Sequence, residues 1–119
     1  MDINQLANCL EKLGNTTRLA VFKQLVKAGP EGLSVGELRN KLDIPASTLS
    51  HHILFLVSAQ LVRQERQGRI LQCKPNLPLM REIVAELTAE CCTGASTPAA
   101  QSRKRTERQP PRTKRPAKV

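Results

Sequence analysis

The sequence predicts a mainly α fold with a small β-hairpin. Two observations carry this. Apolar residues recur at three- and four-residue spacing in five separate stretches. Between the fourth and fifth lies Leu61-Val62-Arg63-Gln64-Glu65-Arg66-Gln67-Gly68-Arg69-Ile70-Leu71-Gln72-Cys73, which reads as two short strands around a basic turn containing glycine.

Ile3, Leu6, Leu10 and Leu13 make the stripe of a first helix, and Gly14-Asn15-Thr16 ends it and starts the next. Leu19, Phe22, Leu25 and Val26 give the second helix an apolar face, stopped by Gly29-Pro30. Ser34 with Glu37 three residues later is a capping box for a third, short helix that buries Val35, Leu38 and Leu42. Asp43-Ile44-Pro45 turns the chain, with Pro45 placed at the first position of the fourth helix. That helix buries Leu49, Ile53 and Leu56. After the hairpin, Pro78 starts a last helix through Leu79, Ile83, Val84 and Leu87 that ends near Cys91-Cys92. Gly94 fits a stop.

Helices three and four, joined by a tight turn, form a helix-turn-helix, and the hairpin makes it winged. The order is helix, helix, helix, helix, strand, strand, helix. Residues 1–93 are expected to form this domain. From residue 94 the composition turns to Ser, Thr, Pro, Gln, Lys and Arg without apolar periodicity, which predicts a disordered basic tail over 94–119.

The 119 residues suffice for one small domain, and its core must come from Leu, Ile, Val and Ala, because the chain has two Phe and no Trp or Tyr. The net charge is +9, but residues 101–119 hold eight of the 19 Lys and Arg and one of the ten acidic residues. The folded part is therefore only weakly basic, and any DNA-binding patch must come from local placement. The tail reads either as an arm adding salt-sensitive DNA affinity or as a solubilising segment. No apolar run spans a bilayer and no signal peptide is visible, so a cytoplasmic location with free thiols is expected for the four Cys. A thiol enzyme finds no support. There is no Cys-x-x-Cys, no His near a Cys, no Gly-rich phosphate loop and no catalytic cofactor motif.

With Leu49, Ile53 and Leu56 turned inward, helical geometry puts Ser47 and His51 on the solvent side and Thr48 and Ser50 on the flanks. Hydroxyls bond bases or phosphates, and His51 can donate to an acceptor such as guanine N7. Arg66 and Arg69 flank a Gln67-Gly68 turn, within reach of phosphates. These six residues are the candidate DNA contacts. A capping role for the hydroxyls and a protein-binding scaffold remain the plainer readings.

Residues Leu6 to Cys92 resemble the ArsR/SmtB family of winged-helix, metal-responsive repressors. The matching stretches are Leu13-Gly14-Asn15-Thr16-Thr17-Arg18-Leu19, Ser34-Val35-Gly36-Glu37-Leu38, Ser47-Thr48-Leu49-Ser50-His51-His52-Ile53, Leu56-Val57-Ser58-Ala59-Gln60-Leu61-Val62 and Arg66-Gln67-Gly68-Arg69. The resemblance implies a homodimer built on the first and last helices that binds an inverted-repeat operator until an inducer releases it.

The family's ligand sites differ, and each must be checked against these residues. The third-helix arsenic pattern lacks its thiols here, since Glu37-Leu38 is followed by Arg39-Asn40-Lys41-Leu42-Asp43. The zinc pattern on the last helix lacks its His, leaving Glu82, Glu86 and Glu90. Ala89-Glu90-Cys91-Cys92 resembles the ending of arsenic-responsive relatives whose inducer is trivalent arsenic, as arsenite or an organoarsenical such as methylarsenite, or antimony. Either Cys91 and Cys92 alone bind an organoarsenical, or a third thiol joins them. Cys9, on the first helix, is the candidate for that third ligand. Cys9 and Cys73 read otherwise as small buried residues. A redox or persulfide response through the same thiols is the alternative.

Overall fold

The computed structural model describes residues 1–94. The tail expected to be disordered lies, from residue 95 on, outside the described residues. The chain divides into two units, Met1–Thr88 and Ala89–Val119.

The first unit runs α1 (Ile3–Leu13), α2 (Thr16–Ala28), β1 (Leu33–Ser34), α3 (Val35–Leu42), α4 (Ala46–Ser58), β2 (Val62–Gln67), β3 (Ile70–Pro75) and α5 (Leu77–Thr88). Caps chosen by the sequence fix most helix starts. The Asp2 carboxylate accepts from the Gln5 backbone while the Gln5 side chain accepts from Asp2 N–H. Asn15 accepts from Arg18 N–H. Ser34 and Glu37 close the expected capping box at 3.1 and 2.9 Å. The Asn76 side chain accepts from Leu79 N–H and so caps α5.

The core gathers one face of every helix and the inner face of the sheet. Val21, Leu25, Leu38, Leu49, Ile53, Leu56, Leu61 and Cys73 are fully buried. Packing of α2 against α1, α3, α4 and β3 surrounds it on several sides. Val21 is consequently central, whereas Leu19, expected on the buried face, is exposed. Val35 and Leu42, expected buried beside Leu38, are only partly covered.

Four further expectations are corrected. Pro45 is the N-cap of α4, not its first residue, and extended ψ at 144° places it just outside the helix. The sheet has three strands in the order β1-β3-β2, because Leu33 and Ser34 pair antiparallel with Cys73 and Gln72. The hairpin turn is Gly68-Arg69, since Gln67 pairs with Ile70. Arg66 therefore closes β2 and Arg69 sits within the turn. Gly68 has φ 67°, a positive value that glycine adopts without steric cost. Finally, α5 starts at Leu77 and ends at Thr88, and of its expected apolar face only Ile83 is buried. Cys91 and Cys92 lie beyond that end, in turns.

Candidate nucleic-acid interface and thiol pair

The helix-turn-helix is α3 and α4 joined through Asp43-Ile44-Pro45. Asp43 takes the left-handed conformation, φ 53° and ψ 48°, and its N–H donates to Arg39 O at 2.8 Å. A short polar side chain tolerates this better than a branched one would. At the other end of α4, Gln60 is also left-handed (φ 64°), and Leu61 N–H donates to Leu56 O. Asn76 then ties the wing to this turn, its side chain donating to Gln60 O and its N–H to Leu61 O, both at 2.9 Å.

Burial of Leu49, Ile53 and Leu56 leaves Ser47, Thr48, Ser50 and His51 exposed along α4. Pro45 offers no side-chain cap. Among the described residues, the hydroxyls of Ser47, Thr48 and Ser50 make no hydrogen bond within the chain, so they are not spent on capping. A groove of about 390 Å³ is lined by Ser34, Val35 and Gly36 at the start of α3, Ser50 of α4, and Arg66, Arg69, Ile70 and Leu71 of the wing. Helix four and the wing tip therefore share a surface that can reach base edges and phosphates together.

The wing's other charges are internally paired. Lys74 lies 3.1 Å from Glu65 and 3.5 Å from Glu31, and Arg63 Nε lies 3.1 Å from Glu65. Hydrogen bonds from Lys74 and Arg63 hold the Glu65 carboxyl below its usual range. Among the described residues Arg66 and Arg69 have no such carboxylate partner.

Sequence reasoning missed the other flank of α4. Phe55 meets His51 edge-on, with ring centroids 4.8 Å apart and an interplanar angle of 88°. The Lys12 ammonium and Arg18 guanidinium lie 5.3 and 4.7 Å from its centroid. Arg18 Nε also donates to Lys12 O at 2.7 Å, joining α1 to α2. The Lys12 and Arg18 spacing alone carries no such signal, because the partner ring is about forty residues away.

The four thiols divide by environment. Cys9 and Cys73 are buried, Cys91 and Cys92 exposed. Cys9 Sγ donates to Ala59 O at 3.7 Å, and burial, then the Glu82 charge, push its pKa up. Burial also raises that of Cys73, opposed by a hydrogen bond from Gln64 at 3.9 Å. Within the second unit, the sulfurs of Cys91 and Cys92 lie 3.3 Å apart. Their shared hydrogen bond, then their mutual charge, raises the Cys91 pKa. Among the described residues no three His, Cys, Asp or Glu side chains gather into a metal-holding group. No helix there is long and apolar enough to cross a membrane.

Residues 13–65 match the model of a family described as a helix-turn-helix domain. The crystal structure of an ArsR family transcriptional regulator superposes with a TM-score of 0.67 at 27% identity, over 82% of this chain and 97% of that one. The chain carries a helix-turn-helix domain and is similar in fold and sequence to ArsR-family transcriptional regulators. The transcriptional repressor BigR from Xylella fastidiosa is 28% identical, with a TM-score of 0.58 over 75% of this chain and 88% of that one. NolR from Sinorhizobium fredii is 27% identical, again at 0.58, over 74% and 85%. No curated protein sequence matches. The chain thus shares the fold of these transcriptional regulators.

Proposed function

We propose that this protein is a homodimeric transcriptional repressor whose operator is an inverted repeat, and that trivalent arsenic or antimony bound by cysteine thiolates releases it. Ser47, Thr48, Ser50 and His51 would read the major groove, and Arg66 and Arg69 would bind phosphates beside it. The observation that carries the DNA reading is the shared groove of Ser50, Arg66 and Arg69 next to hydroxyls with no partner among the described residues.

The inducer reading rests on two exposed sulfurs 3.3 Å apart. A pair of soft donors this close suits a thiophilic metalloid better than a harder cation. Each sulfur–metalloid bond replaces a hydroxide, which leaves as water with the thiol's proton. Cys91 and Cys92 alone satisfy an organoarsenical such as methylarsenite, which keeps one bond to carbon. Arsenite would need a third thiol, and Cys9 could serve only after giving up its burial and its bond to Ala59. The pair is therefore the favoured site. Inducer and operator would oppose each other through one coupling free energy, typically ~1–3 kcal/mol.

The test is fluorescence anisotropy of an operator duplex titrated with methylarsenite, arsenite, antimonite, zinc and peroxide. Methylarsenite should release the DNA from the parent protein and from Cys9→Ser, but not from Cys91→Ser or Cys92→Ser. Loss of the arsenite response alone in Cys9→Ser would establish a three-thiol site. Release by peroxide with no response to any arsenical would replace this inducer with the redox alternative.

A further inference from the structure

The α4 helix is bordered by cations on both flanks, and only one flank belongs to the wing. Ser50, which faces Arg66 and Arg69, and Phe55, which carries Lys12 and Arg18, lie five residues apart and so about 140° around the helix. Ser47, His51 and Leu54 are exposed between them. A second groove, of about 280 Å³, is lined by Lys12, His51, Leu54, Phe55 and Ser58.

Lys12 is the cation that lines this groove, and Arg18 lies beside it on the Phe55 ring. Both cations lie within 5.3 Å of one ring centroid, so two like charges are gathered on a single aromatic side chain. The Glu11 carboxylate lies 3.5 Å from the Lys12 ammonium, but it is 73% exposed and free to swing away. Among the described residues no carboxylate pairs with Arg18, whose one hydrogen bond is spent on Lys12 O. The Ser58 hydroxyl is already committed to Phe55 O at 2.6 Å, which leaves Lys12 and His51 as the polar groups of the lining able to meet an anion.

We propose that Lys12 and Arg18, gathered beside His51 around the Phe55 ring, form a second phosphate anchor for duplex DNA, on the flank of α4 opposite the wing. The inference rests on reading α4 as the DNA-reading helix. A helix in a major groove about 12 Å wide has a phosphate strand on each side of it. The wing meets one strand and the Phe55 cluster the other. Duplex DNA is favoured over a small free anion because His51 belongs both to this groove and to the base-facing surface of α4. The clamp would also hold the end of α1 and the start of α2 in register with the recognition helix.

The experiment is the salt dependence of binding by the full chain to an operator duplex and to an unrelated duplex. Lys12→Met keeps an apolar stem against Phe55 and removes the charge, Lys12→Arg keeps the charge, and Arg66→Gln serves as the wing reference. Each phosphate contact adds about 0.9 to the slope of log K against log salt. Lys12→Met should flatten that slope by about 0.9 per subunit on both duplexes. Lys12→Arg should keep it. A Lys12→Met slope equal to the parent's, while Arg66→Gln is flattened, would remove the second anchor and leave the DNA reading standing. A flattened slope in Lys12→Arg as well would assign Lys12 a packing role and also remove the anchor. A parent chain that binds neither duplex would end both readings.

Discussion

His52 follows the exposed His51 by one residue, which turns it toward the protein. It is half-buried, and its Nδ1 is shielded with no hydrogen-bond partner among the described residues. Desolvation, then the Arg18 and His51 charges, lower its pKa from the ordinary 6.5. The unfolded chain therefore binds more protons than the folded one between the folded value and 6.5. Stability is full above that ordinary value, falls as pH drops below it, and levels off beneath the folded value. Denaturant midpoints measured from about pH 7 to about pH 5 should fall for the parent, and His52→Gln should flatten this decline. An equal decline in both proteins would assign it to other groups. Helical spacing from Leu49, Ile53 and Leu56 is enough to put His52 nearer the buried side than His51. It could not show the missing partner, because that depends on which neighbours arrive from α2.

Among the elements, β1 is the one that periodicity did not reveal, since two residues cannot display alternation. Its position depends on Gly32, at φ 67°, whose added Cβ would stand 1.8 Å from Cys73 O. Gly68 has the same φ but open space around it. The left-handed backbone costs an L-residue ~1–2 kcal/mol at either place. Only at Gly32 must backbone also move, which would pull β1 away from β3. Gly32→Ala should lower unfolding stability by about 3 kcal/mol or more and Gly68→Ala by about 1 kcal/mol. Equal losses in urea denaturation would show that β1 contributes little. The helices were most legible where cap and stripe agree, as in α3, where Ser34 marks the start and Leu38 the inner face. The α2 face was misjudged at Leu19 because a helix packed on several sides has no single stripe to read. The end of α5 was overextended because Leu87 continues the stripe without being buried.

At the scale of the molecule, α1 and α5 pack together yet leave apolar side chains in water. Ile3 is 74% exposed, Val84 58% and Leu87 56%. Each helix spends little on the core, Leu6 and Cys9 from α1 and Ile83 from α5. Covering such side chains with a second copy is the economical arrangement for a small domain with so few aromatics. The proposed inverted repeat requires the same thing, because two recognition helices must be presented to half-sites about one helical turn apart. Linking two half-site contacts multiplies affinity roughly 10²- to 10⁴-fold over one. Carboxylates at Val84 and Leu87 would face each other across the symmetry axis or be buried there, and either outcome opposes association. The double variant Val84→Glu, Leu87→Glu should sediment as a monomer at micromolar concentration, keep its helical circular dichroism and bind the full operator at least a hundredfold more weakly. Its affinity for a single half-site should stay near that of the parent. A variant that remains dimeric would move the interface off α5, and a parent already monomeric at that concentration would remove the homodimer from the proposed function.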